Sequence, residues 1–85
     1  MRYAAKIDAT QPDIVKALRG IGASVDFIKL PVDLLVGFKG RSIAIEVKSG
    51  DDWKLTKIQK DFFRDFKGEA YIVDSVEAAL KAVRG

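Results

Sequence analysis

The chain has 85 residues, and we expect one domain over residues 1–85, with a thin core. Its 48% hydrophobic and 32% charged residues are typical of a globular protein, and the net charge of +3 is a weak indication of a nucleic-acid partner. The absence of cysteine and histidine excludes disulfide scaffolds, zinc fingers and histidine-based triads, so any metal ion would need oxygen ligands.

The sequence contains no apolar run near the roughly 20 residues of a membrane span. Residues 1–8 lack the hydrophobic core of a signal peptide. We therefore expect a cytoplasmic or viral intracellular protein with no membrane contact.

The first element is predicted to be a helix over residues 11–21. Thr10 has the character of an N-cap, and Pro12 would occupy the first turn. Apolar residues follow at helical spacing, and Gly20 and Gly22 end the pattern.

Three strands are predicted to follow, over residues 24–29, 33–38 and 42–48. The second and third are joined by Lys39-Gly40, where a two-residue hairpin turn requires positive φ. Apolar and other residues alternate along the third strand, as in a strand buried on one face.

The second half of the chain predicts a helix, a short strand and a last helix. Thr56 and Gln59 have the spacing of a capping box. A strand over residues 70–73 follows, and Asp74 or Ser75 would cap the last helix. The expected apolar stripe of the second helix is Ile58, Phe62, Phe63 and Phe66. The order αβββαβα predicts an α/β (α+β) fold with a mixed sheet flanked by helices.

The hairpin register predicts a pair of carboxylates. If Lys39-Gly40 is the turn, Asp33 lies directly opposite Glu46, with Cβ atoms about 5 Å apart, and Lys48 shares their face. Like charges in that position destabilise a sheet, and a divalent cation would relieve the repulsion. The alternative is a surface ion-pair cluster, or charges that protect an edge strand.

These residues carry a resemblance to a known family. Asp33 followed by Glu46-Val47-Lys48 resembles the PD-(D/E)xK nuclease signature. The wider pattern over residues 8–83 resembles small stand-alone members of the virus-type replication-repair nuclease (VRR-NUC) family. Its most specific segments are Val32–Gly37, Ile45–Lys48 and Leu55–Gln59.

The resemblance implies a restriction-endonuclease-like core and a Mg²⁺- or Mn²⁺-dependent endonuclease. Asp33, Glu46 and the backbone carbonyl of Val47 would bind the metal. Lys48 would be the catalytic lysine, and Gln59 would lie near the scissile phosphate.

The chain also departs from the family pattern. Gln11 occupies the position where many members of the superfamily have a metal-binding glutamate. Residues 27–32 replace a glycine-rich stretch that often shapes the DNA-facing lip.

Basic residues on and near the second helix predict contacts with DNA phosphates. They are Lys54, Lys57, Lys60 and Arg64. Because Asp61 and Asp65 are interleaved with them, a solvated ion-pair face is the alternative. Gln59 also has an alternative, in which it serves only as a capping residue.

The expected function is therefore metal-dependent cleavage of DNA, selective for branched structures such as Holliday junctions. The alternative is a nucleic-acid-binding module whose nuclease site has lapsed, or one that acts only within a larger complex. The resemblance also implies a homodimer. The residues expected at its interface are drawn from Phe27, Ile28, Leu30, Trp53, Phe62, Phe63 and Phe66.

Overall fold

A computed structural model describes residues 2–50 and 53–85 and has the predicted element order, αβββαβα. Within that part of the chain, three helices surround one four-stranded mixed sheet. The elements are α1 Arg2–Gly20, β1 Ser24–Phe27, β2 Leu34–Phe38, β3 Arg41–Val47, α2 Lys57–Asp65, β4 Glu69–Val73 and α3 Val76–Arg84. No helix among the described residues has the length and apolar character needed to cross a membrane.

The first helix begins earlier than predicted. Helix α1 starts at Arg2, so Thr10 is an interior residue rather than an N-cap, and Pro12 lies inside the helix. A proline removes one backbone hydrogen bond but does not oblige the helix to start there. The preceding segment is rich in alanine and basic residues of high helix propensity, which explains how the helix extends back past Pro12.

The sheet has the strand order β1-β2-β3-β4. Strands β1, β2 and β3 pair antiparallel, while β4 pairs parallel to β3. Lys39 and Gly40 both have positive φ, at 51° and 80°, which is the signature of a type I′ turn. Phe38 pairs with Arg41 and Leu34 with Ile45, which confirms the predicted hairpin register.

One face of the sheet forms the core. Side chains from β2 and β3 pack there against α1 and α3. The fully buried members are Ile14, Leu18, Leu34, Val36, Ile43, Ile45, Ala79 and Val83. Because successive strand residues point to opposite faces, Asp33, Leu35 and Glu46 lie on the face that α2 approaches.

An arginine joins three elements at the start of β3. Arg41 donates to both carboxylate oxygens of Glu69, at 2.9 and 2.6 Å, and to the carbonyls of Ala82 and Val83. The hydrogen bonds from the guanidinium hold the pKa of the Glu69 carboxyl below its usual value. Arg41 thereby ties β3 and β4 to the C-terminus of α3, where a cation is favourable.

Helix α2 has the predicted start but a different buried face. Its capping box at Thr56 and Gln59 is confirmed, and the helix ends at Asp65. Ile58 and Phe66 are exposed rather than buried. Gln59 points inward, so its neighbour Ile58 projects about 100° around the helix and faces away.

Candidate functional site

The two predicted carboxylates lie at one end of the β2–β3 hairpin. The backbone N–H of Asp33 donates to Glu46 Oε1 at 3.1 Å. The backbone N–H of Val47 donates to Asp33 Oδ2 at 2.9 Å. Each carboxylate therefore binds the backbone of the opposite strand, which fixes both side chains near the end of the sheet.

Glu46 is a buried carboxylate surrounded by donors. It is only 3% exposed. Its Oε2 accepts from Gln59 Nε2 at 2.8 Å and lies 3.1 Å from Lys48 Nζ. Together with the amide of Asp33, these donors offset the repulsion expected between the two carboxylates, and they satisfy a charge that would be costly to bury alone.

Gln59 has two roles in this geometry. Its Oε1 accepts from the backbone N–H of Thr56 at 3.2 Å, and its own backbone N–H donates to Thr56 Oγ1 at 3.2 Å. Its Nε2 also reaches Glu46. The two interpretations of Gln59, as a capping residue and as a site residue, are therefore compatible.

The oxygen atoms present fit a hard divalent cation. Four lone pairs are available on each carboxylate, and the contacts above use three on Glu46 and one on Asp33. The N–H and C=O of a strand residue point to the same side, so the Val47 carbonyl is directed towards β2, as its N–H is. Two carboxylates and a carbonyl are ligands that Mg²⁺ or Mn²⁺ accepts, with water and substrate phosphate completing the shell.

No larger acidic cluster is available in the described part of the chain. Among residues 2–50 and 53–85, no group of three or more acidic side chains is placed to hold a metal ion. Within the same residues, Gln11 makes no hydrogen bond to Asp33 or Glu46. Helix α1 packs on the opposite, core face of the sheet, so Gln11 supplies no ligand contact in this geometry.

The basic residues predicted to contact DNA separate into two groups. Lys57 and Arg64 both pair with Asp61, at 3.2 and 3.4 Å, as the ion-pair alternative expects. Within the described chain, Lys54 and Lys60 form no ion pair, and both are exposed. Lys54 and Lys60 are therefore the better placed of the four to bind phosphate.

An exposed loop next to Asp33 contains the segment where the family pattern has a glycine-rich stretch. The backbone N–H groups of Ile28 and Lys29 both donate to the Asp33 carbonyl, at 3.0 and 3.5 Å. Lys29 has a φ of 70°, and Leu30 is 69% exposed at the tip of the loop. Pro31 is the residue in the sequence that indicates a break here, and lysine is uncommon at a positive φ such as that of Lys29.

Most of the apolar residues expected at a subunit interface are exposed. The exposed ones are Phe27, Ile28, Leu30, Trp53 and Phe66. Phe62 and Phe63 are partly buried, and the Phe62 ring stacks on Phe66 with centroids 4.7 Å apart. Homodimer formation stays a prediction.

No family model, curated protein or solved structure matches this chain. The fold and site define a small α+β domain with a buried glutamate, a neighbouring aspartate, a lysine and a glutamine at one end of a mixed sheet. The VRR-NUC resemblance accordingly remains a prediction from the sequence motifs.

Proposed function

We propose that this chain is a Mg²⁺- or Mn²⁺-dependent DNA endonuclease with a PD-(D/E)xK core of the VRR-NUC type. The observation that carries the proposal is the convergence of Asp33, Glu46 and Lys48 on one sheet face, with Gln59 bound to Glu46. The sequence resemblance implies a nuclease role for all four residues, and they come from three different elements or their flanks.

The proposed reaction is hydrolysis of a phosphodiester. Water attacks phosphorus, the bond to one ester oxygen breaks, and the leaving oxygen takes a proton. Asp33, Glu46 and the Val47 carbonyl would hold the metal, which when bound acidifies water and polarises the phosphate. The Lys48 side chain is 21% exposed, so its ammonium group can turn from Glu46 to a phosphate oxygen or to the attacking water.

The proposed substrate is branched DNA such as a four-way junction, cut by a homodimer. A twofold dimer would hold two sites at a fixed spacing, which suits paired cuts in a symmetric junction. The net charge of +3 supports contact with a phosphate backbone, as do the exposed Lys54 and Lys60, which form no ion pair within residues 2–50 and 53–85.

A second candidate is a nucleic-acid-binding module that does not cleave by itself. The observation that favours it is the environment of Glu46, where Asp33, Lys48 and Gln59 already engage both carboxylate oxygens. Metal binding would then require a rearrangement, supplied by DNA or by a partner in a larger complex.

A cleavage panel distinguishes the two candidates. Four-way junctions, flaps, single strands and linear duplex would be incubated with the protein, with and without Mg²⁺ or Mn²⁺. Metal-dependent cutting that is fastest on branched DNA supports the nuclease. Binding in gel shifts without cutting of any substrate supports the module.

A further inference from the structure

We infer that the capping box of α2 is a positioning device for Glu46, in which Thr56 sets the orientation of the Gln59 amide and the amide in turn holds the carboxylate. The inference rests on the proposed function only in making Glu46 a metal ligand. It assigns to Thr56, which touches neither carboxylate, a role in the site.

The first step is the fixed orientation of the Gln59 side chain. A carboxamide has one acceptor end and one donor end. The backbone N–H of Thr56 can only donate, and it meets Oε1 at 3.2 Å. The Glu46 carboxylate can only accept, and it meets Nε2 at 2.8 Å. Rotating the amide by half a turn would put like groups together at both ends, so the capping contact selects the orientation that binds Glu46.

The second step is the cost of losing that orientation. Gln59 is 8% exposed and Glu46 is 3% exposed, so solvent has little access to either partner. A buried hydrogen bond to a charged group is stronger than one between neutral groups, and an unmet donor or acceptor there is unfavourable. The orientation of Glu46 Oε2 is therefore linked to the order of the first turn of α2.

The third step is the contribution of the Thr56 hydroxyl. Its Oγ1 accepts from the Gln59 backbone N–H at 3.2 Å and completes the reciprocal box. Removing the hydroxyl loosens the turn that presents the Gln59 side chain, although no atom of the contact with Glu46 is deleted. An ordinary cap would stabilise α2 without affecting the carboxylate.

The chain provides a matched control and a simple signal. Ser75 caps α3 in the same way, since its Oγ accepts from Ala78 N at 3.0 Å, but α3 lies on the other face of the sheet. The chain contains two glutamines, Gln11 and Gln59, and no asparagine. Its side-chain amide NMR spectrum therefore has two NH₂ pairs, of which Gln11 is the more exposed reference.

The experiment measures hydrogen exchange of the two NH₂ pairs in ¹⁵N-labelled protein without metal. In the wild type, the Gln59 pair is expected to exchange more slowly than the Gln11 pair. Thr56→Ala should speed Gln59 exchange about fivefold, the factor that corresponds to loss of a typical cap, while Ser75→Ala leaves it unchanged and Thr56→Ser restores it. Mn²⁺ titration of the same proteins should show weaker binding for Thr56→Ala than for Ser75→Ala.

Two results would overturn the inference. One is equal exchange of Gln59 and Gln11 in the wild type, which needs no variant to fold. The other is an equal effect of Thr56→Ala and Ser75→Ala on the Gln59 signals. If the exchange pattern is as expected but wild-type protein binds no Mn²⁺, the positioning of Glu46 stands and the metal-dependent function fails.

Discussion

Replacing Glu46 with glutamine should destabilise the protein, although the two side chains have nearly the same shape. The Glu46 carboxylate accepts from Asp33 N and Gln59 Nε2 and pairs with Lys48 Nζ. A glutamine has a single acceptor oxygen, and its own NH₂ would face at least one of these donors. An unmet buried donor costs about 1–3 kcal/mol, and we expect about 2 kcal/mol because Lys48 can still reach water.

Asp33→Asn is the matched comparison. Asp33 accepts one hydrogen bond, from the backbone N–H of Val47, and an asparagine oxygen can replace it. This variant should therefore lose no more than about 0.5 kcal/mol. In urea unfolding at neutral pH, the Glu46→Gln midpoint should fall with an unchanged slope, and its melting temperature should drop by about 10 °C.

The comparison decides between two electrostatic effects. If repulsion between the carboxylates dominated, as their facing positions in the hairpin suggest, neutralising either one would raise stability without metal. If the donors around Glu46 dominate, only Glu46→Gln is strongly destabilised. Equal stability of the two variants, or a gain in both, would refute the network described for Glu46.

Other changes test the framework that presents the site. The pKa of Glu69 is depressed from 4.5 by the hydrogen bonds from Arg41, so this pair should stabilise the fold fully above pH 4.5 and lose its effect as the pH falls through the lower folded-state value. The melting temperature of the wild type should therefore exceed that of Glu69→Gln at neutral pH, and the two temperatures should converge in acid. A difference that does not change with pH would contradict this. Gly40→Ala should cost about 1 kcal/mol in chemical unfolding, because Gly40 has a φ of 80° while open space surrounds its missing Cβ, and an unchanged midpoint would count against the type I′ turn.

Local patterns in the sequence predicted the parts of the site that depend on local rules. The Lys39-Gly40 turn determines the hairpin register, and the register places Asp33 opposite Glu46. The spacing of Thr56 and Gln59 predicted a capping box that the structure contains. In both cases, the chemistry of a few neighbouring residues was sufficient.

Contacts between distant elements were less predictable. Periodicity assigned Ile58 to the buried face of α2, but the hydrogen bond from Gln59 to Glu46 places Gln59 on the inward face and leaves Ile58 exposed. The predicted start of α1 was wrong. Pro12 indicated a first turn, because proline is common there, and only the residues before it show that the helix begins earlier. The pairing of Lys57 with Asp61 was one of two open alternatives, since helical spacing alone does not determine whether a lysine binds a neighbour or a phosphate.

Single-turnover cleavage of a labelled four-way junction with Mn²⁺, by wild type and by Asp33→Asn, tests the proposed nuclease most directly. Asp33→Asn keeps the hydrogen bond to Val47 and so should remain folded and still bind DNA, while removing one charged metal ligand. We predict metal-dependent cutting by the wild type and none detectable by Asp33→Asn at equal DNA occupancy. Equal rates for the two proteins, or no cutting by the wild type with either metal, would contradict the account.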